Sequence, residues 1–116
     1  MGLARLIWRG EIYDIDLGSP VGHEPAFNRP AVVVSTDIVN NGPGELVVVV
    51  PVGSTTYGLR SHVELEGGRT GLDRPSYARC DQIRVVSTGR LVARTGTASL
   101  DEMHAIDQAL RFILDL

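Results

Sequence analysis

The chain has 116 residues, 43% of them hydrophobic, and a formal net charge of −3. That length supports a single domain over residues 1–116 with one hydrophobic core, and the composition excludes a disordered chain. The negative total argues against indiscriminate binding of nucleic acid.

The charge is nonetheless unevenly placed. All 11 basic residues are arginine, and seven of them fall between Leu46 and Arg94 against four acids. Such a chain can carry a positive face under a negative total. The alternative is that these charges simply solvate loops. Cys80 is the only cysteine, so no internal disulfide forms, which suits a reducing compartment. Its expected role is a small apolar core residue. The N-terminal residues lack the apolar run of a signal peptide, and no stretch reaches the length of a membrane span. A cytoplasmic chain with no membrane partner is expected.

The first periodic stretch is Arg9 to Leu17. Ile12, Asp14 and Asp16 fall on one parity, Tyr13, Ile15 and Leu17 on the other, which predicts a strand with one buried face. Gly18, Ser19 and Pro20 end it. A polar loop follows from Val21 to Asn28, and Ala31 to Ser35 reads as a buried strand from its β-branched content. Arg29 stands at the joint between loop and strand, directly before Pro30. Proline fixes its own φ and pushes the preceding residue toward extended geometry. The guanidinium is therefore held in a defined pose, either available to a ligand or paired with Glu24 on the surface of an edge strand.

Thr36 to Glu45 contains Asn40-Asn41-Gly42-Pro43-Gly44, a turn signal. Leu46 to Val52 is the most apolar run and predicts a central strand, with a bulge or strand end at Pro51, which has no amide to donate. Gly53 to Ser61 is a loop rich in hydroxyls. His62 to Leu65 predicts a short strand closed by Glu66, Gly67 and Gly68. Two more strands are expected at Ser76 to Cys80 and Gln82 to Val86, then a helical turn over Ser87 to Leu91 and extended chain over Leu91 to Thr97. Ser99 and Glu102 match a capping box. Met103, Ile106, Leu110, Ile113 and Leu114 then recur at helical spacing. The expected architecture is mainly β, a small curved sheet or barrel of about six short strands, closed by a C-terminal amphipathic helix.

His23, His62 and His104 lie far apart, with no metal-ligand spacing between them, and no nucleophile elbow is present. What remains is an arginine before a strand, a hydroxyl-rich loop after the central strand and scattered arginines. That set suits a phosphate-bearing ligand, because arginine grips phosphate through two parallel hydrogen bonds. Hydroxyls and loop amides stabilise charge developing on a phosphoryl oxygen. RNA carries its own nucleophile in the 2′-hydroxyl, so a protein cutting it must orient that attack and neutralise the intermediate. Arginine almost always keeps its proton, which makes it an electrostatic stabiliser and a poor general base.

The stretches RGEIYDIDLG, VGHEPAFNRPAVVVS, ELVVVVPV and GLDRPSYARCDQIRVVSTGRL, with the terminal helix, resemble the MazF/PemK family of toxin endoribonucleases in order and spacing from about Arg9 onward. The resemblance implies an SH3-like β-barrel of the type shared with the gyrase poison CcdB, a homodimer, and sequence-specific, metal-independent cleavage of single-stranded RNA with no cofactor. It implies products ending in a 2′,3′-cyclic phosphate and a 5′-hydroxyl, and neutralisation by a cognate antitoxin. Arg29 matches the family's catalytic arginine, Glu24 an acid of the RNA groove and Gln82 a substrate-side glutamine; Asn28, Tyr57, Arg60 and Asp81 are further candidate substrate contacts. Gly53 stands where the family usually carries a threonine or serine, so Ser54 or Thr55 is expected to supply the catalytic hydroxyl. The alternative is a protein whose ribonuclease activity is weakened at Gly53, or a non-catalytic, protein-binding toxin on the same fold.

Overall fold

The structure is a computed structural model that describes residues 6–18, 22, 28–66 and 69–116. Among these residues the apolar runs become strands β1 (Glu11–Asp16), β2 (Asn28–Val33), β3 (Leu46–Gly53), β4 (His62–Leu65), β5 (Ser76–Arg79), β6 (Arg84–Ser87) and β7 (Leu91–Thr97). A one-turn helix α1 (Asp37–Asn40) precedes β3, and helix α2 (Leu100–Leu114) follows β7. The strands form one seven-stranded antiparallel sheet in the order β4, β5, β3, β2, β1, β7, with β6 added on β3. The fold is thus mainly β with a C-terminal helix, as the sequence predicts. The path stays open, since no pairing among the described residues joins β4 to β7.

β3 organises the sheet. On one edge it pairs with β2, Ala31 to Val33 lying opposite Pro51 to Val49. On the other edge Leu46 to Val49 pair with β6, and Val52 and Gly53 pair with β5. The strand does not end at Pro51, and its pairing with β2 keeps register there. Pro51 instead falls between the last residue paired to β6 and the first paired to β5. The missing amide coincides with the change of partner, where it costs the ladder least.

β1 buries both faces rather than one. Ile12 joins Val32, Val50, Val52 and Leu65 in a core closed by Met103 and Ile106 of α2. Tyr13, Ile15 and Leu17 join Ala31, Val33, Val47, Val49 and Val86 in a second cluster on the opposite face. Burial on two sides is why β3 reads as an unbroken apolar run.

The capping box of α2 forms. The Glu102 amide donates to Ser99 Oγ at 3.0 Å, and the Ser99 amide donates to Glu102 Oε1 at 2.8 Å. Glu102 Oε2 also accepts from the Glu66 amide at 2.7 Å, which ties the helix start to the end of β4. Met103 and Ile106 are buried, and Leu110 and Ile113 pack against the core. Leu114 is exposed in the final turn, beside the left-handed Asp115 that ends the helix, and Ala109 is buried instead.

Elsewhere the elements shift by a residue or two. β2 begins at Asn28, so it includes Arg29 and Pro30. The expected turn after Thr36 holds α1, whose Val39 amide donates to Thr36 Oγ1 at 3.4 Å. β5 stops at Arg79, and Cys80–Gln82 form a 3-10 turn before β6. Gly67 and Gly68 lie outside the described residues. No helix among the described residues is long and apolar enough to cross a membrane.

Candidate functional site

Strand register places Arg29. β1 sets it opposite Ile15, with Pro30 opposite Asp14. On the other side Ala31 lies opposite Pro51. Two steps back along β2 and two forward along β3 bring Arg29 level with Gly53. The two-residue period of a strand keeps Arg29 on the face of Ala31 and Val33, and Gly53 on that of Val49. Those three apolar residues share one cluster, so Arg29 and Gly53 are neighbours on one face.

β2 lies between β1 and β3, so Arg29 is not on an edge strand. Glu24, its expected surface partner and a candidate groove residue, lies outside the described residues. Arg29 is half-buried, and its Nε is shielded from solvent with no partner among the described residues. A cleft of about 470 Å³ opens at this end of the sheet, lined by Asn28, Arg29, Gly53, Ser54, Asp73 and Arg74. Asp73 and Arg74 form an exposed ion pair at 3.4 Å, which contributes little to stability.

The structure thus brings together Asn28, Arg29, Gly53 and Ser54. Thr55 is exposed and does not line the cleft. Tyr57 stands edge-on to His62, ring centroids 5.9 Å apart, with the Arg79 guanidinium 5.6 Å from its ring. Asp81 Oδ1 lies 3.0 Å from Nε2 of His62, whose side chain is only 7% exposed. Gln82 follows in the 3-10 turn with its side-chain oxygen buried. Arg60 turns away, its guanidinium 4.2 Å from the Phe112 ring of α2. Cys80 is fully buried, and burial pushes its thiol up to about 12, with Asp81 and Asp107 adding to the effect. Such a thiol is no nucleophile at neutral pH.

Sequence reasoning missed Arg74 and Asp73. The signal was present, because Arg74 precedes Pro75 as Arg29 precedes Pro30. It also missed Arg79, whose place depends on a pairing between β3 and β5 that no local pattern reveals.

Fold and cleft define a small β-sheet protein with an arginine-bearing groove at one end of its central strands. The chain belongs to the family of PemK-like, MazF-like toxins of type II toxin-antitoxin systems, whose profile matches residues 8–114. It is 39% identical over 113 residues to the endoribonuclease MazF9 of Mycobacterium tuberculosis, covering 93% of this chain and 96% of that protein. The fold is similar to that of MazF from Deinococcus radiodurans, with a TM-score of 0.83 at 22% identity over 97% of this chain and all (100%) of the other. An endoribonuclease of a mycobacterial species, solved in complex with its cognate antitoxin, superposes with a TM-score of 0.79 at 24% identity, covering 95% of this chain and 96% of that one. At those identities the two structures speak to the fold alone.

Proposed function

We propose that this chain is a cytoplasmic endoribonuclease toxin that cleaves single-stranded RNA at the cleft holding Arg29, Gly53 and Ser54, and that a cognate antitoxin neutralises it. The reading rests on membership of the family and on the likeness to an endoribonuclease. The observation in this chain that carries it is Arg29, a half-buried guanidinium whose Nε has no partner among the described residues and which lines an open cleft. A shielded donor without an acceptor is costly to leave unmet, and a phosphodiester oxygen supplies the acceptor.

The chemistry follows from the substrate. The 2′-oxygen attacks the adjacent phosphorus and loses its proton, the bond from phosphorus to the 5′-oxygen breaks, and that oxygen takes a proton. The products end in a 2′,3′-cyclic phosphate and a 5′-hydroxyl, and this internal transfer needs no metal or other cofactor. Arg29 holds the non-bridging oxygens as negative charge gathers on them. Its proton stays in place, so its part is electrostatic. The Ser54 hydroxyl donates to the same phosphoryl group, while Asn28, Tyr57 and Gln82 meet flanking nucleotides. The active species is a homodimer, a reading supported by the exposed apolar side chains of Ile38, Leu46, Val85 and Val92.

Incubating the pure protein with a long RNA in chelator, then mapping the ends, tests this. Discrete fragments with cyclic phosphate ends are expected from the wild type and none from Arg29→Ala, with the two proteins giving the same circular dichroism spectrum. Intact RNA from the wild type, or cleavage by Arg29→Ala at the wild-type rate, overturns the reading.

A further inference from the structure

β4 ends the sheet, so one of its edges is unpaired. The Cys80 amide donates to the Ser61 carbonyl at 3.0 Å, and β4 keeps register with β5 from His62 opposite Arg79 to Leu65 opposite Ser76. Backbone groups alternate between the two edges of an antiparallel strand. Val63 and Leu65 therefore spend their amides and carbonyls on β5, while His62, Glu64 and Glu66 turn theirs outward. Two of the outward amides are met within the chain. That of His62 donates to the Leu59 carbonyl at 3.0 Å, and that of Glu66 to Glu102 at 2.7 Å. The amide and carbonyl of Glu64, in the middle of the edge, meet no partner among the described residues. An edge left open in this way is a template for a further strand.

A groove runs along that edge. A cavity of about 590 Å³ bounded by Arg60, His62, Gln108 and Phe112 shares Val63, Glu64 and Ala105 with one of about 410 Å³ that reaches Glu66, Asp101 and Glu102. The far wall is one stripe of α2, at the spacing of a helix face. The rise from Asp101 to Phe112 makes it about 16 Å long, room for about five residues of extended chain. The groove is rich in acceptors. Glu64, Glu66, Asp101 and Glu102 line it, and none of them forms an ion pair among the described residues. His62 lines it with a side chain only 7% exposed. Its Nε2 faces the Asp81 carboxylate at 3.0 Å and so carries the proton. That leaves Nδ1 a lone pair with no donor among the described residues. The Arg60 guanidinium is stacked 4.2 Å from the Phe112 ring and pairs with none of these carboxylates.

We propose that the free edge of β4 is a docking site for an extended, cationic segment of a partner protein, which adds a strand at Glu64 and sets arginine or lysine side chains against Glu64, Glu66 and Asp101. The backbone argues for a polypeptide. Glu64 presents a donor beside an acceptor, as a pairing strand does, and a polyamine has no acceptor for the Glu64 amide. The carboxylates argue for positive charge and against RNA, whose phosphates they repel. The groove shares no lining residue with the Arg29 cleft, and the proposal does not depend on the ribonuclease reading.

Fluorescence anisotropy at low salt tests this, with a labelled heptapeptide alternating arginine and valine. The wild type is expected to bind it, and to bind neither a glutamate–valine heptapeptide nor the arginine–valine peptide methylated at every backbone nitrogen. Glu64→Pro removes the outward amide and leaves the ladder to β5 untouched; it is expected to weaken binding about tenfold. Ala105→Arg sets a cation in the middle of the groove from the helix side and is expected to weaken it about fivefold. Thermal melting checks each variant, and Ala105→Arg decides alone if Glu64→Pro does not fold. No binding to the wild type, equal binding of the methylated peptide, or unchanged binding in the folded variants overturns the proposal. Displacement of the peptide by spermine at equal charge concentration would make the groove a small-polycation site and overturns it too. So does a halved mass of Ala105→Arg in sedimentation, which would make the occupant a second copy of this chain.

Discussion

Arg94 of β7 reaches across to Glu11 of β1, its Nη1 3.0 Å from Oε2 of a carboxylate that is only 4% exposed. The Trp8 amide and the Tyr13 hydroxyl donate to the other oxygen at 2.7 Å and 3.2 Å. Removing one partner of a buried pair leaves an uncompensated charge, which costs more than the pair itself contributes. Arg94→Ala is expected to lower stability by about 2 kcal/mol. Glu11→Gln keeps an acceptor for Trp8 and leaves a half-exposed Arg94 to water, so it costs less. Urea denaturation of both variants checks the order, and equal losses would show that the charge is not what matters.

β7 approaches the segment before β5 backbone to backbone at Gly96. A Cβ there would lie 2.5 Å from the Thr70 carbonyl oxygen and still closer to that of Arg69. The Thr97 amide donates to the Arg69 oxygen at 2.8 Å, so neither chain can withdraw without losing that bond. Gly96→Ala is expected to destabilise by about 3 kcal/mol through overpacking. Gly44, which has open space around it, supplies the control, with Gly44→Ala expected to stay within about 0.5 kcal/mol of wild type. Thermal melting separates the two.

Strand existence was legible from period and β-branching, and the α2 capping box from its Ser99 and Glu102 spacing. What local pattern did not carry was pairing. The alternation in Arg9 to Leu17 predicted one buried face, because nothing in those residues says that Ile12, on the parity of Asp14 and Asp16, packs in a core closed by Met103 and Ile106 of α2. Pro51 predicted a bulge or strand end, and neither forms: β3 runs on to Gly53 in register with β2, and the proline falls where the other edge changes partner. The Arg-Pro step located Arg29, and its repeat located Arg74 unnoticed. Arg79 over Gly53 was out of reach, since their proximity comes from a register between residues well separated in sequence.

Cys80 carries the pH prediction. Burial raises its thiol from the ordinary 9.0 to about 12. Below pH 9 the thiol is protonated in the folded and the unfolded chain and contributes no pH dependence. Between about 9 and 12 the unfolded chain gives up the proton while the folded one keeps it, so stability falls as pH rises, by at most about 1.4 kcal/mol per pH unit. Cys80→Ala lacks this slope. The difference in stability between wild type and variant should therefore shrink above pH 9 and stay flat below it. A difference that is constant to pH 11 would show that the thiol ionises in place. Thiol reagents at pH 8 should leave the native protein unmodified and react once it is unfolded.

Ser54 and Thr55 are adjacent hydroxyl residues with different surroundings. Ser54 lines the cleft with Arg29 and Asp73, while Thr55 projects from the loop beyond it. A hydroxyl stabilises a developing oxyanion only from a position already within hydrogen-bond reach, and losing one such donor costs about 100-fold in rate. Ser54→Ala is expected to lower single-turnover cleavage by about that factor, and Thr55→Ala by less than about threefold. The opposite order would mean that the loop re-aims when RNA binds. No effect from either variant would leave the negative charge to guanidiniums alone.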